Sequence, residues 1–491
     1  MRVTQPAVET PGSGVPFPSL LIRADALVPQ GAFAEAQATY LRPDPATVAR
    51  LDALLTEKRI GVVAHFYMDV ELQGVLAACR WPHVFVSDSL AMADAAVKMA
   101  EAGVRAVAVL GVDFMSENVR AVLDATGHAA LPVYRMSARA IGCSLAESAE
   151  ALAYGAWLGS AARVHPSLHV IYINTSLRTK ALSHRLVPTI TCTSSNVVQT
   201  VLQAFAQIPD LHVWYGPDTY MGQNLDTMLR SYAQLSDPEI ARLHPAHDRA
   251  SIAALLPRFH WFQAGTCIVH HLFGARVVER LRRDYADALH TAHLEVPGEM
   301  FALAVEAQRA GRGVVGSTSN ILSFIAGAVA SAVERPGPSR LRVVLGTEAG
   351  MITPIVRRVQ EALRAHHRRD VEVEIVFPVA AESVARADDP TLGIVPGVAA
   401  GEGCSTAGGC ATCPYMKMNN LDALLSVAAA IGTPAEAALA DHRPRVASGT
   451  LDGRSIAELG SEPILHMRAF AKSGRLPDAL VAQIAALRAQ A

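Results

Sequence analysis

Two periodicities alternate along this chain. Short β-branched stretches, nearly all apolar, are followed by a small or polar turn and then by an amphipathic helical pattern. The clearest predicted strands are Ile60–Ala64, Ala106–Gly111, His169–Asn174, Pro188–Cys192, His212–Tyr215, Gly313–Gly316, Leu341–Gly346 and Val371–Phe377. Predicted helices follow several of them, over Ala91–Ala102, Asn196–Gln207, Asn320–Val333 and Met351–His366. This alternation predicts βαβ units and parallel sheets. Strands lacking a polar face predict helices on both sides of each sheet.

One junction recurs. Thr193-Ser194-Ser195-Asn196 follows a predicted strand and opens a helix, and Ser317-Thr318-Ser319-Asn320 does the same later in the chain. Gly346-Thr347-Glu348 is a looser third case. Hydroxyl residues there suit helix capping, and the same place offers N–H groups and a positive dipole end to an anion. The recurrence points to a duplicated α/β unit whose strand ends face a shared pocket. Residues 1 to about 45 hold no sustained period and read as an extension, and the Ala-rich helical tail beyond about Thr433 carries no catalytic signal.

Composition narrows the class. With 491 residues, 51% hydrophobic and 18% charged, the chain has apolar material for about three ordinary domains. A formal net charge of −2 gives no basic field for nucleic acid. The longest apolar run, Ile321 to Val333, is too short to cross a bilayer. The N-terminus has Pro, Glu and Thr where a secretory signal needs basic and then apolar residues, so the expectation is a cytoplasmic protein.

Seven cysteines spread over a long chain do not suit a secreted disulfide scaffold. Cys410 and Cys413 form a CxxC in a Gly-rich loop, with Cys404 upstream, but no second CxxC or His pair at zinc-finger spacing accompanies them. If a cluster is present, its other ligands come from far away in sequence. Cys79 and Cys192 sit in apolar helix and strand patterns and read as small buried hydrophobes. Cys143 and Cys267 stand in loops instead, Cys143 directly after Gly142 and Cys267 two residues after Gly265, with His270 close to the latter.

An ordered series of motifs then makes the chain recognisable. It runs through Ala64-His-Phe-Tyr67, Ser87-Asp-Ser-Leu90, Gly111-Val-Asp-Phe-Met-Ser-Glu117, Gly142-Cys-Ser-Leu-Ala146 and Tyr172-Ile-Asn-Thr-Ser176 with Lys180. It continues through Cys192-Thr-Ser-Ser-Asn196, Pro217-Asp218, Gly265-Thr-Cys-Ile-Val-His270, His293-Leu-Glu295, Gly316-Ser-Thr-Ser319, Gly346-Thr-Glu348 and Cys413-Pro-Tyr-Met416. In this order the series resembles the quinolinate synthase A family, the iron–sulfur enzymes of de novo NAD biosynthesis.

The resemblance implies three similar three-layer α/β/α domains with parallel sheets, in pseudo-threefold arrangement around a central cluster site. The corresponding division is an extension over 1–45, domains over 46–142, 143–266 and 267–430, and a helical C-terminal extension over 431–491. It implies one 4Fe-4S cluster on Cys143, Cys267 and Cys413, with one iron left open as a Lewis acid. The implied reaction condenses iminoaspartate with dihydroxyacetone phosphate to quinolinate, phosphate and water, which invites functional coupling to an L-aspartate-oxidising enzyme. Motif matching implies substrate contacts at His65, Ser89, Tyr172, Asn174, Ser194, His270, His293, Glu295 and Thr318. Tyr67 and Glu295, with Tyr172 assisting, are the candidates for proton transfer.

Departures accompany the match. His293-Leu-Glu-Val296 stands where the family usually has His-Pro-Glu-Cys, and Ala407 replaces the first cysteine of a CxxCxxC. Cys404 and Cys410 remain candidates for a regulatory disulfide, and the stretch over 225–259 is longer than a minimal member needs. Two other readings are a different 4Fe-4S dehydratase of small hydroxy acids, and a non-enzymatic metabolite-binding protein with a structural metal.

Overall fold

The computed structural model describes residues 16–378, 412–413, 415–445 and 447–490. Two short strands, β1 (Ser19–Ile22) and β2 (Leu27–Gln30), precede three runs of four. The first run is β3 (Ile60–His65), β4 (Val84–Ser87), β5 (Ala106–Leu110) and β6 (Val133–Arg135). The second is β7 (Ser167–Tyr172), β8 (Thr189–Cys192), β9 (His212–Gly216) and β10 (Phe259–Trp261). The third is β11 (Leu289–His293), β12 (Gly313–Gly316), β13 (Ser339–Gly346) and β14 (Val371–Val376).

Each run makes its own sheet, in the orders β4-β3-β5-β6, β8-β7-β9-β10 and β12-β11-β13-β14. Every pairing within a run is parallel. One topology is therefore used three times, as expected of the α/β fold read from the sequence. In that order the chain leaves the first strand of a run to one side and returns on the other. A crevice opens at the carboxyl end of that first strand, where open α/β sheets place their ligands.

Burial explains why these segments are strands. β3, β5, β7 and β8 are buried at every position, which helices on both faces require. The predicted strands are found within a residue or two of their expected ends. β4 and β6 are short, and β11 carries two His and a Thr among five residues, so the apolar period there is weak.

Residues 19–40 are more than an extension. β1 pairs antiparallel with β14 and with β2, adding an edge to the third sheet, and the helix Ala32–Tyr40 follows. At the other end, the helix Ile456–Ser473 braces the first two units. Arg468 pairs with Asp94 at 2.7 Å, and His466 Nδ1 meets the Thr189 carbonyl at 3.1 Å. The stretch over 225–259 forms helices that pack beside Val197–Gln207, where His247 Nε2 lies 2.8 Å from the Leu202 carbonyl.

Candidate active site

Strand register places the predicted site residues in equivalent threes. The last residues of the three first strands, His65, Tyr172 and His293, pair with Ser87, Cys192 and Gly316 of the neighbouring strands. Two residues past the first strands stand Tyr67, Asn174 and Glu295, and two past the paired residues stand Ser89, Ser194 and Thr318. Cys143, Cys267 and Cys413 follow the fourth strands β6, β10 and β14. One cavity gathers all twelve: each of these residues lines it. His270, also predicted, is fully buried behind the lining.

Local chemistry explains how each side chain is held. Ser89 and Thr318 open the helices Ser89–Glu101 and Thr318–Glu334, capped by Asp88 and Ser317. Asn196 and Asn320 make the same turn: each Oδ1 accepts the backbone N–H three residues earlier, from Thr193 at 2.8 Å and from Ser317 at 2.9 Å. The recurring Ser/Thr junction is thus a shared local structure, and capping accounts for part of it. Its helix starts also present hydroxyls and a positive dipole end to the cavity.

The two strand-end histidines are oriented alike. His65 Nδ1 accepts from the Tyr67 N–H at 3.1 Å, and His293 Nδ1 from the Glu295 N–H at 3.3 Å. Burial pushes both imidazoles down, to about 4 and about 3, so they are neutral and carry their proton on Nε2. That nitrogen of His293 faces Ser194 Oγ at 3.2 Å.

Glu295 is the electrostatic centre. Tyr172 Oη donates to its Oε1 at 2.5 Å, and His270 Nδ1 lies 3.2 Å from its Oε2. Burial alone would raise this carboxyl, but His270, His293 and the Tyr172 hydroxyl outweigh it and hold it at about 2. With His293 itself neutral and 3.6 Å away, His270 and Tyr172 are the partners that matter most. The His270 ring stacks on His293 at 4.9 Å and approaches Cys267 Sγ at 3.4 Å. Tyr67, whose Oη lies 3.2 Å from Thr347 Oγ1, is pushed well above the usual phenol range by burial and then by Glu295.

The three predicted cluster cysteines converge although 124 and then 146 residues separate them (267 − 143 and 413 − 267). All three line the same cavity. Burial pushes Cys143 up to about 12 and the other two well above the usual thiol range. No Lys or Arg is among the described residues lining the cavity. Three half-buried thiols without a cation suit a soft metal centre, whose own charge would stabilise the thiolates. Donor atoms of Cys267, His270 and Glu295 also lie within 4.8 Å of one another. Cys192, expected in the core, is fully buried in β8. Cys404 and Cys410 lie outside the described residues.

Glu348 has no role among the sequence expectations. It lines the cavity just past β13 and accepts the Cys413 N–H at 3.2 Å. Burial, and then Glu295, push its carboxyl well above the usual carboxylate range. Its signal in the sequence is the Gly346-Thr347-Glu348 junction, which reads equally well as a cap. Asp88 and Thr193, inside the motif series, also line the cavity.

Comparison with known proteins agrees with this geometry. Residues 49–435 match the family model described as quinolinate synthetase A protein. A chloroplastic quinolinate synthase of Nicotiana tabacum is 56% identical over 480 residues, covering 95% of this chain and 67% of that protein. The chloroplastic quinolinate synthase of Arabidopsis thaliana is 54% identical over 481 residues, covering 96% of this chain and 67% of its own length. A quinolinate synthase of Thermosynechococcus vestitus is 28% identical over 292 residues, 58% of this chain and 72% of that protein. The chain therefore spans about two thirds of the plant relatives it matches.

Those relatives correct the cytoplasmic expectation, because the plant proteins that match nearly the whole chain are chloroplastic. The expectation rested on an N-terminus without the basic-then-apolar pattern of a secretory signal, a test that does not separate cytoplasm from plastid. No described helix is long and apolar enough to cross a membrane. With the family model covering most of its length and its predicted motif residues meeting around one cavity, the chain belongs to the quinolinate synthase A family.

Proposed function

We propose that this cavity condenses iminoaspartate with dihydroxyacetone phosphate, releasing phosphate and two waters to give quinolinate, and that Cys143, Cys267 and Cys413 hold a 4Fe-4S cluster there. The observation that carries this reading is the threefold register: each sheet sends a strand-end residue, a hydroxyl and a cysteine into one cavity. The donor set fits the cluster, since the three thiols share that cavity and no side-chain cation is among its described lining. When bound, the cluster would supply a Lewis acid at the iron that has no protein ligand.

The chain's own residues divide the remaining work. Both substrates are anions, and without Lys or Arg in the described lining their carboxylates and phosphate fall to Ser89, Ser194 and Thr318 with the helix starts beside them. His65, His293 and Asn174 contact carboxylate or carbonyl groups, the neutral imidazoles donating from Nε2. Glu295, held ionised, accepts protons during enolisation and dehydration. Tyr67 keeps its phenol proton and is a donor, while Tyr172 and His270 orient the Glu295 carboxylate. The imine is an oxidised form of aspartate, so an L-aspartate-oxidising enzyme is the partner class that would supply it.

Anaerobic reconstitution with iron and sulfide, followed by an assay of quinolinate from the two substrates, tests the proposal. Cluster absorbance together with quinolinate formation is expected. A chain that takes up no iron would sink both parts, and an iron-loaded chain that makes no quinolinate would leave the other dehydratase reading.

A further inference from the structure

Each of the three loops that leave a first strand is pinned by one buried nitrogen. In the first unit, Gln73 Nε2 donates to the Phe66 and Met68 carbonyls, both at 2.8 Å. In the second, Lys180 Nζ donates to the Ile173 carbonyl at 3.1 Å and to the Thr175 carbonyl. In the third, Asn224 Nδ2 donates to the Leu294 carbonyl at 2.9 Å and the Val296 carbonyl at 2.8 Å. The pattern is the same each time: the carbonyls one and three residues past the strand end are tied together, and the residue between them is Tyr67, Asn174 or Glu295.

Sequence position alone does not predict the third case. Gln73 lies eight residues beyond His65 (73 − 65) and Lys180 eight beyond Tyr172 (180 − 172). The matching place in the third unit is Phe301 (293 + 8), a buried aromatic with no donor. Asn224 fills the role from the helix Thr219–Tyr232 of the second unit. Gln73 also reaches across units, to the Gly350 carbonyl at 2.9 Å. All three donors are buried almost completely, so water does not compete for these carbonyls.

We propose that Gln73, Lys180 and Asn224 are positioning residues that clamp the backbone on either side of Tyr67, Asn174 and Glu295 and so set where those side chains stand. The proposal rests on the functional reading above, in which Tyr67 and Glu295 move protons and Asn174 contacts substrate. Loss of Asn224 frees the Leu294 and Val296 carbonyls, and loss of Gln73 frees those of Phe66, Met68 and Gly350. Loss of Lys180 frees that of Thr175, since the Ile173 carbonyl still accepts the Thr175 N–H at 2.7 Å. The loop then shifts to find other partners. A shift of about an ångström in a reacting group costs on the order of 10²-fold in rate.

The test uses the iron-loaded holoenzyme, with kcat and KM expressed per cluster. Gln73→Met and Asn224→Leu keep side-chain bulk without a donor. Each is expected to lower kcat roughly 10- to 100-fold while KM stays within about threefold of the parent. Lys180→Met is expected to act mainly on KM, raising it roughly tenfold, because Asn174 is a binding contact. Two further variants separate positioning from packing. Lys180→Arg retains donors and should recover KM, and Asn224→Ala leaves room for a water donor and should turn over faster than Asn224→Leu. A packing role predicts the reverse order for the Asn224 pair, and that order would overturn the proposal. So would parent kcat and KM in the folded variants. Tyr67→Phe and Glu295→Gln run alongside: if they lose turnover and the clamp variants do not, positioning fails and the functional reading stands. If they keep turnover, both fall.

Discussion

Tyr172 and Glu295 meet across two sheets, the Tyr172 hydroxyl donating to Oε1 of Glu295 at 2.5 Å. Tyr172 ends the first strand of the second sheet, and Glu295 lies two residues past that of the third. The bond shows how the site is made: a proton-transfer group of one unit takes a partner from another. It also fixes the protonation pattern, phenol protonated and carboxylate ionised, because burial raises the phenol while Tyr172 and His270 hold the acid down.

Glu295→Gln is expected to abolish most turnover while iron content per chain is kept. Its effect on stability has a definite sign. The folded value of about 2 lies below the reference of 4.5, so the ionised carboxyl stabilises the fold above 4.5. That contribution is lost as pH falls through about 2. Thermal unfolding of parent and variant should therefore differ most above this window and converge within it. A gap that widens on acidification would contradict the assignment.

Cys143→Ala, Cys267→Ala and Cys413→Ala should each lose the cluster, read as iron per chain and visible absorbance. Cys192→Ala should keep it and cost only about 1 kcal/mol, the scale of removing one small buried group. Loss of iron in Cys192→Ala would show that the cysteines have been sorted wrongly.

Tyr67→Phe removes the hydroxyl that faces Thr347 Oγ1 at 3.2 Å and nothing else. Cluster absorbance should be unchanged, and kcat should fall roughly 10²-fold, the scale of a general acid. Turnover within a factor of about two of the parent would take Tyr67 out of proton transfer.

Gly460 tests the C-terminal brace. Gly to Ala inside a helix ordinarily stabilises by about 1 kcal/mol. Here an added Cβ would sit 2.2 Å from the Leu177 carbonyl of the second unit. Gly460→Ala is expected to destabilise by about 1–3 kcal/mol instead. A raised Tm would mean that this helix does not dock where the contact places it.

Much of this site is legible in the residues themselves. The apolar strands and their following helices, and the Ser/Thr junctions that end strands β8 and β12, carry local signals that fix where a strand stops and a helix starts. The ordered motifs single out the residues that line the cavity. Glu348 escapes because its junction reads equally well as a cap, and Asn224 because nothing in its helix marks a donor for another unit's backbone.

By itself, the sequence determined the repeated α/β pattern, which depends on local order along the chain, and the resemblance of its ordered motifs singled out the twelve lining residues and His270. Tertiary structure alone decided that the strands within residues 19–30 join the third sheet, that Tyr172 and His270 keep Glu295 ionised, and that one buried nitrogen clamps each of the three loops. The physical reason is distance in sequence. Strand register and helix caps are set by neighbours a few residues away, whereas a pKa and a carbonyl's partner are set by whatever the fold packs against them.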